Sequence, residues 1–156
     1  MGTPLTAGVK APAFKLPSDS GETRSLADFK GRKLVLYFYP RADTPGCTRE
    51  AIDFTKLRGE FAKSGTDILG VSADLVEAQQ AFKKKHKLKL QLLSDPTHKM
   101  LEAYGAWGKK SMYGKTFMGI GRVTYLIDSQ GRIAQVWPKV KVDGHATEVL
   151  AAAKGL

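Results

Sequence analysis

The chain has 156 residues, 42% apolar and 26% charged, a length and balance that suit one domain with an ordinary core and exclude a disordered or fibrous chain. Its 25 basic and 15 acidic residues leave +10 at pH 7, which favours polyanions, acidic partners and small anions. A single cysteine, Cys47, excludes an internal disulfide, a Cys-x-x-Cys redox pair and a thiolate-rich zinc site.

Residues 5–17 are punctuated by Pro and Gly, and Phe14 and Leu16 alternate with Lys15 as in a short edge strand. The turn Ser18-Asp19-Ser20-Gly21 and the return through Thr23, Ser25 and Leu26 predict an N-terminal hairpin. Leu34–Tyr39 is a continuous apolar run closed by Pro40, a strand buried on both faces and therefore central. Ala51, Phe54, Leu57 and Phe61 recur at three-to-four-residue spacing, so a helix starts near Pro45. Asp67–Ser72 reads as a second buried strand, Leu75–Lys85 as a helix and Gln91–Leu93 as a short third strand. Asp95-Pro96 then starts a helix carrying Met100, Leu101 and Tyr104. The basic run Lys83–Lys89 reads as a solvated helix end, not a specific nucleic-acid surface.

This alternation of strands and helices makes the protein α/β with a mainly parallel sheet. Gly105–Gly121, rich in Gly and Lys and without periodicity, reads as a long loop of the kind that is often functional. Trp107 and Phe117 within it read as core residues first, with lining of the site as the alternative. Val123–Ile127 and Arg132–Trp137 flank Asp128-Ser129-Gln130-Gly131 as a hairpin, and Ala146–Lys154 is a last helix. No repeat or linker divides the chain, so residues 1–156 read as one domain. No run reaches the ~18 apolar residues of a membrane span, and residues 1–14 lack a signal-type apolar core, so the expected location is cytoplasmic with no membrane partner. His86, His98 and His145 lack ligand spacing and read as surface or capping residues, with no metal and no cofactor expected.

The chemistry points to Tyr39–Glu50, where the central strand gives way to a helix and Cys47 falls in its first turn. Free N–H groups and the positive end of the helix dipole favour a thiolate there. A helix terminus contributes about 0.3–1 kcal/mol, less than the ~1.4 kcal/mol of a tenfold bias, so a fixed cation is needed as well. Arg41 and Arg49 are near in sequence, but the turn leaves their direction open, and a distant segment serves equally. Thr44 stands where a capping hydroxyl belongs, Pro40 ends the strand, and Glu50 lies one turn after Cys47.

Pro40, Thr44 and Cys47 fit P-x-x-x-T-x-x-C, and Phe38–Ala51 as a whole resembles the active site of peroxiredoxins of the Q type, also called bacterioferritin comigratory proteins. Lys10–Phe14, Gly70-Val71-Ser72, Leu93–Pro96, Arg122 entering the strand Thr124–Asp128, and Lys139–His145 extend the resemblance over nearly the whole chain. It implies a thioredoxin-like fold, with a central mixed sheet flanked by helices and an N-terminal β-hairpin. It also implies a thiol-dependent peroxidase acting on hydrogen peroxide and organic hydroperoxides in antioxidant defence, as a monomer or weak dimer. By the same resemblance Cys47 is the peroxidatic thiolate, Thr44 hydrogen-bonds the peroxide, Pro40 walls the pocket, and Arg122 is the distant cation; Glu50 reads either as an ion-pair partner that orients Arg122 or as a solvated helix carboxylate.

Many relatives carry a resolving cysteine five residues after the first, where this chain has Ile52. The cycle therefore cannot close within one chain. The thiol must come from outside, from thioredoxin, glutaredoxin with glutathione or another small thiol, or from Cys47 of a second chain. Two other uses remain open from the sequence. One is a redox sensor or thiol-linked chaperone built on Cys47; the other is a basic nucleic-acid-binding module, supported only by net charge.

Overall fold

The computed structural model describes residues 2–156. The chain opens with an antiparallel hairpin of β1 (Lys15–Pro17) and β2 (Thr23–Ser25), Leu16 opposite Arg24. Strand β3 (Lys33–Phe38) leads to helix α1 (Pro45–Lys63), then β4 (Thr66–Ser72), α2 (Val76–His86) and β5 (Gln91–Ser94). A short helix α3 (Lys99–Ala103) precedes β6 (Trp107–Met112) and β7 (Lys115–Ile120), followed by β8 (Val123–Ile127), β9 (Ile133–Trp137) and the closing helix α4 (His145–Lys154). The main sheet has the order β5-β4-β3-β8-β9. Strands β3, β4 and β5 are mutually parallel, whereas β8 pairs antiparallel with both β3 and β9. The sheet is thus mixed, and the mainly parallel expectation holds only for the half joined through α1 and α2. Strand β8 follows the separate two-stranded sheet of β6 and β7 and enters beside β3 in the opposite direction.

The position of β3 follows from its side chains. Leu34, Leu36 and Phe38 face a core shared with Phe29, Leu69, Met100, Tyr104 and Tyr125, while Val35, Tyr37 and Tyr39 face another with Cys47, Phe54, Phe61, Phe82, Leu126 and Val149. A run apolar at both parities satisfies both cores only as the middle strand. Burying side chains of the size of Phe54, at roughly 1.5–3 kcal/mol each, fixes α1 against the second face.

Three expectations are corrected. Residues 107–120 are not a loop but the hairpin β6–β7, with Trp107 opposite Ile120 and Met112 opposite Lys115. Its two-residue turn places Tyr113 at φ 53° and Gly114 at φ 75°, the paired positive values that a tight hairpin turn requires. Second, the helix after Asp95-Pro96 starts only at Lys99, because the Asp95 backbone carbonyl accepts a bond from the His98 amide and the Asp95 carboxylate accepts one from the Leu101 amide at 2.9 Å. Third, His145 is buried, with Nε2 2.8 Å from Thr124 Oγ1 and edge-on packing against Phe54 and Trp137. Burial pushes its pKa down to about 4. No described helix is long and apolar enough to cross a membrane.

Candidate active site

The central strand ends at Phe38, and residues 39–44 carry the chain through a turn into α1. That turn is tied down from beneath. The Ala42 amide donates to Asp74 Oδ2 at 2.8 Å, and Ser72 Oγ donates to the same oxygen at 2.6 Å. Gln79 Nε2 donates to Ser72 Oγ and to the Leu93 carbonyl, both at 2.9 Å, and Tyr39 OH donates to Gln79 Oε1. A buried chain of polar groups therefore runs from α2 and β5 to the turn. Asp43, at φ 61°, is clasped by Lys85 at 2.8 Å and His86 at 2.7 Å, which hold its carboxyl below the usual range.

Helix α1 begins with Thr44 at the N-cap and Pro45 at the first helical position. The Thr44 hydroxyl does not cap the helix but donates to the Arg41 carbonyl at 2.8 Å. The first ladder bond runs from the Thr48 amide to the Thr44 carbonyl, so the Gly46 and Cys47 amides lie ahead of the ladder, at the positive end of the helix. Cys47 is 1% exposed among Tyr37, Tyr39 and Ala51.

The cation comes from far along the chain. Arg122, at the start of β8, places Nη2 3.3 Å from Cys47 Sγ and Nη1 3.1 Å from Glu50 Oε1. The guanidinium thus places a fixed positive charge within hydrogen-bond reach of the sulfur. Glu50 is itself 1% exposed, and its second oxygen has no partner among the described residues. Burial raises its pKa to about 7, against the opposing pull of Arg122. Arg41 and Arg49 do not supply the cation: Arg41 is exposed, and Arg49 pairs with Asp143 and Asp53.

The structure thus brings Cys47, Arg122 and Glu50 together. Thr44 and Pro40 stand on the same turn, with no hydrogen bond to the sulfur among the described residues. Of the two aromatics of the hairpin, Trp107 is half-buried, packs against the core and stacks on His98 at 3.7 Å between centroids, whereas Phe117 is 44% exposed and stands outside the core. Ile52 is a half-buried residue of α1.

Two contributors escape sequence reasoning. A Cβ on Gly46 would stand 2.7 Å from Arg122 Nη2, so the guanidinium reaches the sulfur across a bare backbone. A glycine in the first turn of a helix is the local sign of such an approach, since Gly costs about 1 kcal/mol there relative to Ala. Asp74 is the other, and its sign is the Ser72-x-Asp74 spacing at a strand end, a pattern suited to bonding the backbone locally.

The site is thus a helix-start thiol held against a guanidinium, on a mixed sheet flanked by helices. The AhpC/TSA family model matches residues 7–136, and the chain belongs to that family. It is 51% identical over 146 residues to the Bcp peroxiredoxin of Coxiella burnetii, an alignment covering 94% of this chain and 97% of that one. It is 48% identical over 149 residues to peroxiredoxin Bcp of Bacillus subtilis, covering 96% and 95%. Among solved structures, the bacterioferritin comigratory protein of Xanthomonas campestris, studied for alkyl peroxide reduction with a trapped intermediate and ligand, superposes with a TM-score of 0.88 at 39% identity, covering 99% and 98%. The chain is a thiol-dependent peroxidase of the peroxiredoxin class, with an antioxidant function.

Proposed function

We propose that this enzyme works by a one-cysteine cycle at Cys47, taking hydrogen peroxide and organic hydroperoxides and drawing its resolving thiol from another molecule. The observation that carries the reading is the 3.3 Å contact of Arg122 with the sulfur of the chain's one cysteine. The Cys47 thiolate attacks one peroxide oxygen, the O–O bond breaks, and the departing oxygen leaves as water or an alcohol with a proton taken up. The product is a sulfenic acid on Cys47. Arg122 holds the thiolate and faces the charge that develops as the bond breaks. Thr44 offers its hydroxyl to the peroxide at the helix start, Pro40 shields the sulfur from water, and Glu50 orients Arg122. The alkyl-peroxide activity named for the Xanthomonas protein supports organic hydroperoxides as substrates.

With no second thiol in the chain, an outside thiol RSH converts Cys47–SOH to Cys47–S–S–R with release of water. A second RSH then frees Cys47 as RSSR leaves. The donor is a thioredoxin, a glutaredoxin with glutathione, or a small thiol, and we place the enzyme in the cytoplasm as one domain of 156 residues, monomeric or weakly dimeric. Intact mass after one equivalent of hydrogen peroxide, with dimedone trapping, tests the cycle. One adduct on the wild type, none on Cys47→Ser and reversal by an added thiol are expected. A stable sulfenic acid that no thiol reduces would turn the reading to a sensor, and an inert Cys47 would end it.

A further inference from the structure

Cys47 and Glu50 are each 1% exposed and stand three residues apart on α1, so both side chains lie on one face of the helix. Arg122 spans them, with Nη2 3.3 Å from Cys47 Sγ and Nη1 3.1 Å from Glu50 Oε1. Two buried acids therefore share one guanidinium. With both ionised, two negative charges would face a single positive one where little water reaches, and each would disfavour the other. The second oxygen of Glu50 argues the same way. Oε2 is buried with no partner among the described residues, and an unpartnered oxygen costs less on a neutral carboxyl than on an anion. Nothing else that acts on Glu50 supplies the missing positive charge: Asp53 on the same helix is a further acid, and Tyr37 of β3 is a phenol that burial keeps neutral. Burial is also what raises the Glu50 carboxyl to about 7, with Arg122 pulling against it.

We propose that Glu50 stores the proton that the departing peroxide oxygen takes up. The proposal rests on the reading of Cys47 as the attacking thiolate and assigns the proton of that same step. Before attack, thiolate, guanidinium and neutral carboxyl sum to zero charge. In the attack the sulfur bonds to one peroxide oxygen, the O–O bond breaks, and its electron pair leaves on the other oxygen as RO⁻, where R is hydrogen or an alkyl group. The sulfur is oxidised to the neutral sulfenic acid and the peroxide is reduced. RO⁻ takes the Glu50 proton and leaves as water or an alcohol. Sulfenic acid, guanidinium and carboxylate again sum to zero, and the 3.1 Å contact becomes a full ion pair. Arg122 thus passes its charge from the sulfur to the carboxylate, and no buried ion is left unmatched at either end of the step. Reduction refills the store. The first thiol gives its proton to the departing water, and the proton of the second returns to Glu50 as Cys47 leaves the mixed disulfide as a thiolate.

Infrared difference spectroscopy on the whole protein, isotope-labelled at its glutamate carboxyls, tests the proposal. Reduced protein at about pH 7.5, above the ordinary carboxyl range, receives one equivalent of hydrogen peroxide, and dimedone trapping of a parallel sample confirms the sulfenic acid. The expected spectrum loses one protonated-carboxyl C=O band and gains carboxylate bands, both moved by the label, and Glu50→Gln shows neither change. A second arm leaves Glu50 in place and so holds even if Glu50→Gln does not fold. When the reduced protein is titrated, the band disappears at a pH higher by about one unit or more in the wild type than in Cys47→Ser, where the guanidinium serves Glu50 alone. A Glu50 that only positions Arg122, as a carboxylate throughout, predicts no such band in the resting enzyme. That result, a band that survives sulfenic acid formation, or equal midpoints in the wild type and Cys47→Ser would overturn the proposal. Absence of any sulfenic acid in the trapped wild type would instead remove the reading of Cys47 on which the proposal rests, and the proposal with it.

Discussion

The turn before Cys47 and the hairpin β6–β7 are built on opposite principles. In the turn, the Ala42 amide and the Asp43 carboxylate each have a defined partner, and the thiol is buried behind it. In the hairpin, Tyr113 is 96% exposed, and Met112, Phe117 and Met118 stand beside it in water among lysines. The contrast separates holding from presenting. A sulfur that must meet a cation within hydrogen-bond reach needs a fixed backbone, whereas a surface that meets molecules from solution needs charge and access.

The largest effect that would break this picture belongs to Arg122. Replacing it with Leu removes the cation and is expected to slow sulfenic acid formation by roughly 10²–10³, as for other single donors to a developing charge. Stopped-flow peroxide consumption checks it, and a loss below tenfold would place the activating charge elsewhere.

Gly46→Ala is a subtler disturbance of the same contact. The new Cβ meets the far end of the Arg122 side chain, which gives way without disturbing the core. Rate is expected to fall about tenfold through misplacement, while stability holds or gains up to about 1 kcal/mol from the better helix former. Parallel measurement of kcat/KM and Tm separates the two.

Buried titratable groups give a prediction on pH. Glu50, raised from 4.5 to about 7, keeps a proton that the unfolded chain has already released, so its contribution to stability is complete below about pH 4.5 and lost as pH rises through about 7. His145, lowered from 6.5 to about 4, refuses a proton that the unfolded chain takes up, so its contribution is present above about pH 6.5 and lost as pH falls through about 4. The slopes oppose one another, each on the order of 3 kcal/mol in full. Urea unfolding between pH 4.5 and 7.5 is expected to show stability rising with pH in Glu50→Gln and falling with pH in His145→Gln. Like slopes in both variants would contradict the assignment.

The smallest effect is expected at the hairpin tip. Tyr113→Ser removes a side chain almost wholly in water and should change unfolding stability by no more than about 0.5 kcal/mol. A larger loss in a urea titration would mean the tip is packed, not presented.

The two regions also differ in how far their sequences disclose them. The Cys47 turn is legible because a doubly apolar strand, a proline and a helical period each leave a local mark. Arg122 leaves none: it stands 75 residues from Cys47, and only resemblance to a family singles it out among the basic residues. The hairpin was hidden because alternation reveals a strand only when one face is buried, and most of β6 and β7 is wet on both. His145 could not be placed beforehand because its burial depends on Thr124 and Phe54, brought to it by the tertiary fold.

The central claim is that Arg122 and the helix start make Cys47 a peroxide-reactive thiolate. Its most direct test is the single-turnover rate constant of Cys47 with hydrogen peroxide, compared with free cysteine at the same pH. An acceleration of at least about 10³, on the order of 4 kcal/mol of barrier lowering, is predicted for the wild type and lost in Arg122→Leu. A wild-type rate equal to that of free cysteine would contradict the account.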